Sequence, residues 1–335
     1  MYGTRRVLVC GTNYGATYLR ALTMAQRRSN LRLAGVLSRG SQRSRAYAHQ
    51  YGVPHWCEVS EIPLGAIDLA CVAVAGAAGL SITKALLQRG IAVIAEHPLS
   101  AAMVDEALAL AKQHRTQFHV NAHFADLPAA QSFLNTIAQT RSRAPCWHFT
   151  LEANLRTLYS ALDLLGRAHG DLSQARVSTA QSGAAHWFQN VDICLTDDAD
   201  HAVHGSLICQ SFSGAEDDGS ANLLNHRMSA VFEHGSLLLA ESQGPVLWLP
   251  TPLAMVQSGG ASYQMVDANA VNGQQLMQQR DVANWQALMH LDQCSQGGVA
   301  AFYQQERYLH HLARLWDDCI QSLQHTPGAQ VQGAA

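Results

Sequence analysis

The first 125 residues alternate between short apolar runs and stretches with apolar residues at helical spacing. The helical stretches cover residues 16–27, 41–50, 79–88 and 101–114, and the apolar runs cover residues 6–10, 31–37, 68–74, 92–95 and 118–122. The run from Asp68 to Val74 has no polar alternation, which is typical of a parallel strand covered by helices on both faces. The pattern predicts a doubly wound α/β domain over residues 1–125.

Beyond residue 125 the apolar and polar positions alternate more often, and turn residues separate the segments. Strands are predicted at residues 147–154, 207–212, 227–233, 237–241 and 246–249, with helices at 127–138 and 155–168. Consecutive strands of this kind favour a mostly antiparallel open sheet, so we expect an α+β domain over residues 126–299. Residues 257–284 are rich in Gln, Gly, Ala and Asn, which predicts a long mobile loop or lid. Residues 300–325 hold an amphipathic helix expected to pack back on the body.

Composition narrows the classes of function. The 335 residues carry 22 Lys and Arg against 25 Asp and Glu, a net charge of −3, and no basic stripe that would bind nucleic acid. The opening residues do not form a signal peptide, so we expect a cytoplasmic protein with no membrane partner. The eight cysteines lie far apart without a C-x-x-C pair, and the seventeen histidines show no convincing ligand spacing. We therefore expect reduced thiols and no metal.

A glycine-containing turn follows the first strand and precedes the first helix. It reads Gly11, Thr12, Asn13, Tyr14 and Gly15. A dinucleotide-binding (Rossmann) domain uses this position to receive a pyrophosphate on helix N-terminal amides. Measured against G-x-G-x-x-G, only the first glycine fits, and a plain strand-to-helix turn is the alternative interpretation. We assign these five residues to cofactor binding.

The end of the second strand indicates which cofactor is preferred. An NAD-preferring site has an acidic residue there, which would repel a 2′-phosphate. This chain has none and instead offers hydroxyl and guanidinium groups: Ser38, Arg39, Ser41, Arg43 and Ser44. Such groups suit a phosphate dianion. The pattern favours NADPH over NADH, although a solvated basic loop is the simpler alternative.

The fifth strand ends in Glu96-His97-Pro98-Leu99. This segment resembles the E-K-P-[LI] element of the glucose-fructose oxidoreductase, inositol dehydrogenase and rhizopine-catabolism (Gfo/Idh/MocA) superfamily. With the 11–15 turn, the Gly40-Ser41 loop and Leu162-Asp163-Leu164-Leu165, it is similar to one branch, the thiazolinyl imine reductases of yersiniabactin- and pyochelin-type siderophore biosynthesis.

The resemblance implies an NADPH-dependent homodimer that reduces a thiazoline C=N to a thiazolidine. It also implies a partner, the nonribosomal peptide synthetase carrier domain to which the substrate is tethered. In the superfamily a lysine at the position of His97 contacts the hydride-transfer site, so the resemblance places Glu96 and His97 beside the nicotinamide.

Reduction of an imine requires a proton at nitrogen, and histidine titrates near neutral pH. We rank His97, or a water that it holds, first as proton donor. The resemblance places a tyrosine where this chain has Phe124, which has no proton to give, so Asp126 and His123 are lower-ranked catalytic candidates.

Two other functions stay open. An NADP-linked sugar or cyclitol dehydrogenase is disfavoured because the family's Asp-x-x-x-His pair reads Asp163 and Arg167 here. A catalytically silent, NADP-sensing regulatory protein is the third hypothesis.

Overall fold

The chain forms two compact units in the computed structural model. The first consists of residues 1–123 and 277–310, and the second of residues 124–276 and 311–334. The structure describes residues 3–25, 29–170, 172–179, 188–196, 201–211, 223–296 and 299–324. None of the described helices has the length and hydropathy needed to span a membrane.

The first unit contains a six-stranded, fully parallel sheet. Its strands are β1 (Arg5–Cys10), β2 (Leu31–Leu37), β3 (His55–Trp56), β4 (Leu69–Val72), β5 (Ala92–Glu96) and β6 (Phe118–Asn121). The order across the sheet is β3-β2-β1-β4-β5-β6. This doubly wound order confirms the predicted fold, and it brings the carboxyl ends of β1, β4 and β5 side by side at the point where the strand order reverses. β3 has only two residues and no hydrophobic pattern, so it was not predicted.

Four helices connect these strands: α1 (Ala16–Ala25), α2 (Gln42–Tyr51), α3 (Gly76–Leu87) and α4 (Ala101–Gln113). α2 begins after Ser41, whose hydroxyl accepts the amide of Ser44, and it ends at Gly52 with a φ of 64°. These are the residues that helix capping favours at the two ends. All four helices lie where their apolar spacing predicts them.

The second unit contains an eight-stranded, mostly antiparallel sheet, as expected. The strands run in the order β14-β13-β12-β11-β7-β10-β9-β8, and among their pairings only that of β7 with β10 is parallel. They are β7 (His148–Asn154), β8 (Arg176–Thr179), β9 (Phe188–Thr196), β10 (Ala202–Gln210), β11 (Arg227–Phe232), β12 (Gly235–Leu239), β13 (Val246–Pro250) and β14 (Gln264–Asp267).

Helices α5 (Pro128–Arg141) and α6 (Leu158–His169) bury apolar residues against this sheet, and α7 (Pro252–Ser258) follows β13. α6 buries eleven of its twelve residues, including the charged Asp163. A helix buried on nearly every side can hold a charged side chain only if that side chain has a partner.

The predicted mobile lid at residues 257–284 is wrong. β14 lies within it, and from Gly273 the chain forms α8 (Gly273–Gln296), a helix of 24 residues. The helix is polar in composition but has a narrow apolar stripe. In this stripe Ala287, Leu288 and Leu291 pack into the core of the first unit. The Arg5 guanidinium also pairs with Asp292 at 2.7 Å.

The compact units therefore differ from the predicted divisions at 126–299 and 300–325. Residues 277–296 belong to the first unit because their apolar stripe completes its core. The last helix, α9 (Val299–Gln324), is shared, with residues 299–310 in the first unit and 311–324 in the second. Local patterns could not reveal this, because it depends on contacts between residues far apart in the chain.

We expect Leu288→Ala to lower the free energy of unfolding by about 2–5 kcal/mol, since it removes a fully buried side chain from the core of the first unit. Urea unfolding followed by circular dichroism measures the effect. Gln286→Ala, on the exposed face of the same helix, is the control and should change little. Equal midpoints for the two variants would contradict the packing of α8.

Candidate active site

The turn after β1 is held in place by its two glycines. Gly11 has a φ of +79°, and a Cβ there would lie 2.7 Å from the carbonyl oxygen of Ala73. A Cβ at Gly15 would lie 2.1 Å from the oxygen of Gly11. The amide of Gly11 donates to the carbonyl of Leu37 at 2.8 Å, which ties the turn to the end of β2. Chain geometry alone therefore requires both glycines.

The same turn also has the donors that a pyrophosphate needs. Within the described part of the chain, no acceptor receives the backbone amides of residues 12–16. These amides precede α1 at the carboxyl edge of a parallel sheet, where such groups bind anions. Thr12 is buried and Asn13 is exposed. The residues present thus fit a dinucleotide phosphate.

The loop after β2 places most of its predicted ligands at the surface. Arg39, Ser41 and Arg43 are exposed and Ser38 is half-buried. Ser44 is fully buried, and its hydroxyl donates to the carbonyl of Ser41 at 2.8 Å. Because that hydroxyl is buried, the geometry favours the other four residues, which are exposed or half-buried, as phosphate ligands.

His55 joins this loop from β3. Its Nε2 lies 2.9 Å from the Ser38 hydroxyl, which also accepts the amide of Gly40 at 3.2 Å. Since β3 runs parallel to β2, with His55 opposite Val36, the imidazole reaches the end of the neighbouring strand. The short contact restricts the Ser38 side chain to one orientation.

A network of hydrogen bonds surrounds the Glu96 carboxyl group at the end of β5. Tyr18 donates its hydroxyl to Glu96 Oε1, and the side-chain amide of Asn121 donates to the same oxygen at 2.8 Å. The Asn121 amide also lies 2.6 Å from the Tyr18 hydroxyl and 2.6 Å from Asn284 Oδ1. The network therefore joins α1, β5, β6 and α8.

Asn121 also positions His97. The Nδ1–H of His97 donates to the backbone carbonyl of Asn121 at 2.7 Å. A histidine that donates from Nδ1 uses Nε2 as its acceptor atom when it is neutral. One residue thus orients the Glu96 carboxyl group with its side chain and the His97 ring with its backbone.

Burial shifts the pKa values of these two neighbours in opposite directions. It raises the pKa of Glu96 to about 7, against the opposing effect of the hydrogen bonds from Tyr18 and Asn121. It lowers the pKa of His97, against the opposing effect of the bond to the Asn121 carbonyl. Near neutral pH a large share of Glu96 is therefore protonated, whereas His97 is mostly neutral.

His123 faces the 11–15 turn. Its Nδ1 lies 3.1 Å from the Tyr14 hydroxyl, and its side chain is almost fully buried. The Tyr14 ring also contacts the Tyr18 ring edge-on at 6.3 Å. Tyr14 and His123 thus lie beside the Glu96 network at the carboxyl edge of the sheet.

Asp126 forms an ion pair in the second unit. The Arg167 guanidinium contacts Asp126 Oδ1 at 2.6 Å and Asp163 Oδ2 at 2.9 Å. An ionised carboxylate accepts hydrogen bonds and has no proton to donate. The geometry thus disfavours Asp126 as a proton donor, and it shows Arg167 as the partner that Asp163 requires inside α6.

Phe124 stacks on a buried histidine of the second unit. Its ring lies 4.2 Å from that of His226. The two nitrogens of His226 are each 2.7 Å from a serine hydroxyl, those of Ser160 and Ser242. Phe124 is therefore packed against a polar network although it has no polar atom of its own.

Four residues of this region were not predicted from the sequence: Tyr18, His55, Asn121 and Asn284. Tyr18 had a detectable signal, because it stands four residues after Tyr14 and therefore lies on the same face of the predicted helix. Asn121 is a polar residue at the end of an apolar strand, a position that often carries functional side chains. Asn284 lies in the segment wrongly predicted as a lid, so its contact could not be foreseen.

Two family models match separate parts of the chain. Residues 5–122 match the oxidoreductase family with an NAD-binding Rossmann fold, Gfo/Idh/MocA. Residues 143–249 match the C-terminal domain of Irp3-like thiazolinyl imine reductases. No curated protein is similar enough in sequence to count as a match.

Solved structures share the fold at low sequence identity. A Synechocystis biliverdin reductase in complex with biliverdin and NADP+ has a TM-score of 0.62 at 13% identity, over 95% of this chain and 98% of that one. A 3-ketoreductase from Actinomadura kijaniata, in complex with TDP-benzene and NADP, has a TM-score of 0.68 at 13% identity, over 94% of this chain and 96% of that one. A levoglucosan dehydrogenase with NADH and L-sorbose has a TM-score of 0.70 at 12% identity, over 95% of this chain and 96% of that one.

The raised pKa of Glu96 predicts how the stability of the protein depends on pH. Between the ordinary pKa of 4.5 and about 7, the folded state holds a proton that the unfolded state releases, so this carboxyl group destabilises the fold as the pH rises. Glu96→Gln keeps the acceptor oxygen and removes the charge. Relative to wild type, we expect it to gain up to about 3 kcal/mol in unfolding free energy between pH 5 and pH 8.

Urea unfolding at the two pH values measures this difference. Glu58→Gln is the control, because Glu58 is exposed. A constant difference between Glu96→Gln and wild type would show that the Glu96 carboxyl group is already ionised at pH 5.

Proposed function

Because the chain belongs to the Gfo/Idh/MocA oxidoreductase superfamily and carries the Irp3-like C-terminal domain, we propose that it uses NADPH to reduce the C=N bond of a thiazoline to a thiazolidine. The substrate is tethered to a nonribosomal peptide synthetase carrier domain during siderophore biosynthesis. The observation that carries the proposal is the match of residues 143–249 to thiazolinyl imine reductases. The fold by itself is compatible with many reductions and oxidations.

The residues at the end of β2 support NADPH as the cofactor. The exposed Arg39 and Arg43 and the hydroxyls of Ser38 and Ser41 suit a 2′-phosphate, and no acidic residue stands among them to repel it. The amides of residues 12–16 suit the pyrophosphate. When bound, NADPH supplies a hydride for the carbon of the C=N bond.

His97 supports imine reduction because its ring can orient a water molecule or the substrate, and not because it donates a proton. A lysine at this position would add a permanent positive charge, whereas the neutral imidazole adds none. With Nδ1–H fixed on the Asn121 carbonyl, Nε2 accepts a hydrogen bond from a water or from the substrate. A water held in this way points its second hydrogen outward, toward an acceptor such as the imine nitrogen. The proton itself then has to come from a group that holds one at neutral pH.

The Asp163–Arg167–Asp126 ion pairs argue against the sugar dehydrogenase alternative. Oxidation of an alcohol needs a base that can take up its proton. Arg167 is permanently protonated and is held between two carboxylates, so it cannot act as that base. The buried polar network around Glu96 also gives the silent-sensor hypothesis less support, since a purely binding role does not require it.

We expect NADPH oxidation, followed at 340 nm, when the protein is given a synthetic hydroxyphenyl-thiazoline thioester. NADP+ with inositol, levoglucosan or other polyols should give no reduction. Turnover with polyols alone would establish a dehydrogenase instead. NADPH binding without turnover of either substrate class would establish the silent sensor.

Arg39→Ala should weaken NADPH binding about 10- to 100-fold, because a charge-assisted hydrogen bond to phosphate is worth about 1.5–3 kcal/mol. NADH lacks the 2′-phosphate and should bind equally well to the variant and to wild type. Titration of cofactor fluorescence gives both dissociation constants. Arg143→Ala, an exposed arginine of the second unit, is the control. An equal loss for the two cofactors would contradict the assignment of Arg39.

A further inference from the structure

The source of the proton is the unsolved part of the proposed reaction, and the inference that follows rests on that proposed function. Hydride addition to a C=N carbon leaves an electron pair and negative charge on nitrogen, which must gain a proton. Neutral His97 carries its single N–H on the atom that binds the Asn121 carbonyl. Phe124 has no exchangeable proton, and Asp126 is ion-paired with Arg167.

Among the described groups of the Glu96 cluster, Tyr14, Tyr18 and Glu96 hold a proton near neutral pH. Burial raises the pKa of both tyrosines, and Glu96 has a pKa of about 7. Tyr18 is fully buried and donates its hydroxyl to Glu96, so its proton is not directed outward. Glu96 has a pKa of about 7, so it is protonated in only part of the molecules at neutral pH. Tyr14 is only half-buried and belongs to the turn that faces the cofactor phosphates.

The contacts of the Tyr14 hydroxyl suit a group that loses and regains a proton. His123 Nδ1 lies 3.1 Å away, and the side-chain amide of Asn284 lowers the pKa of the hydroxyl against the effect of burial. Asn284 is itself oriented by its bond to the Arg280 carbonyl at 2.8 Å and by the Asn121 amide. When the His123 nitrogen that faces it carries the hydrogen, the Tyr14 oxygen accepts that bond and its own hydrogen is available to another acceptor.

We propose that Tyr14 is the proton donor for the imine nitrogen and that His123 returns a proton to it. The nitrogen electron pair takes the phenol hydrogen, the O–H bond breaks, and its electrons remain on the Tyr14 oxygen. The His123 N–H then protonates this phenolate while the other ring nitrogen takes up a proton that comes from solvent, so the imidazole stays neutral. The net reaction consumes one hydride from NADPH and one proton from solvent for each C=N bond.

The electrostatics of Tyr14 are compatible with this role. Its raised pKa keeps it protonated between turnovers, and the nitrogen anion formed by hydride addition is a much stronger base than a phenolate. The Asn284 amide and the charge of Arg280 both favour the phenolate, which partly offsets burial and the opposing charges of Glu96 and Asp281. Tyr14 thus donates the proton that Phe124, which has no hydroxyl, cannot supply.

Two substrates separate proton donation from cofactor placement. The neutral thiazoline thioester needs a proton at nitrogen, whereas its N-methyl thiazolinium analogue accepts a hydride and becomes neutral without one. In single turnovers at saturating NADPH, Tyr14→Phe should reduce the thiazoline at least 100-fold more slowly than wild type. It should reduce the thiazolinium within about 3-fold of the wild-type rate, and its NADPH dissociation constant should also stay within about 3-fold.

Tyr51→Phe is the matched control, since Tyr51 stacks on Tyr47 in α2, away from this cluster. An equal loss of rate on both substrates would overturn the proposal, because Tyr14 would then place the cofactor. An unchanged rate on the thiazoline would overturn it as well. A wild-type protein that reduces neither substrate would instead refute the proposed function.

The role of His123 has its own test. His123→Ala should slow multiple turnovers of the thiazoline about 10-fold or more, and added imidazole should restore a large part of the rate. His49→Ala, at an exposed position of α2, should neither lose activity nor respond to imidazole. A His123→Ala rate that is unchanged, or that imidazole does not restore, would overturn the return of the proton through His123.

Discussion

A buried carboxyl group is the constraint on which the first unit depends. Glu96 stands at the end of a central strand, where leaving its oxygens without donors would cost several kcal/mol. The fold meets this requirement with Tyr18 from α1 and Asn121 from β6, and Asn284 from α8 holds Asn121 in turn. The position of the His97 ring follows, because its hydrogen bond ends on the backbone of the same Asn121.

This arrangement separates two roles that a single lysine could combine. A lysine ammonium is both a charge and a proton source, whereas burial lowers the pKa of His97 and raises that of Glu96 to about 7. Under the proposed function, the group that orients the substrate and the group that protonates it are therefore different residues. Such a division suits the reduction of a weakly basic imine better than the oxidation of an alcohol, which needs a base to remove the alcohol proton.

Local sequence pattern was sufficient for the parallel sheet and its four helices. The strand at residues 31–37 was predicted to the residue and the helix at 41–50 to within one residue, because continuous apolar runs and helical spacing are local signals. Local pattern was not sufficient for β3, which has only two residues. It was also not sufficient for α8, because many glutamines separate its few buried apolar residues. β9 is a different case, since its buried Val191, Ile193 and Leu195 alternate with less buried residues, a local strand pattern that the predicted elements did not include.

Prediction of the site was limited in the same way. The 11–15 turn, the loop after β2 and the Glu96-His97 pair are contiguous in sequence and could be recognised as such. The partners that determine their protonation could not, because Asn284 lies 163 residues from Asn121 in the chain. The ion pair of Asp126 with Arg167 also depends on helix α6 lying against the start of α5, which no spacing of residues encodes.

The return of α8 to the first sheet has a consequence for how such proteins diversify. The nucleotide-binding unit is not one continuous stretch, since residues 277–310 supply part of its core and the amide that anchors Asn121. A recombination event that joined the first 123 residues to the remainder of an unrelated protein would leave that core incomplete. The two stretches therefore have to be inherited together. A new substrate specificity is reached more easily by changing residues in the intervening segment, 124–276, than by exchanging whole halves.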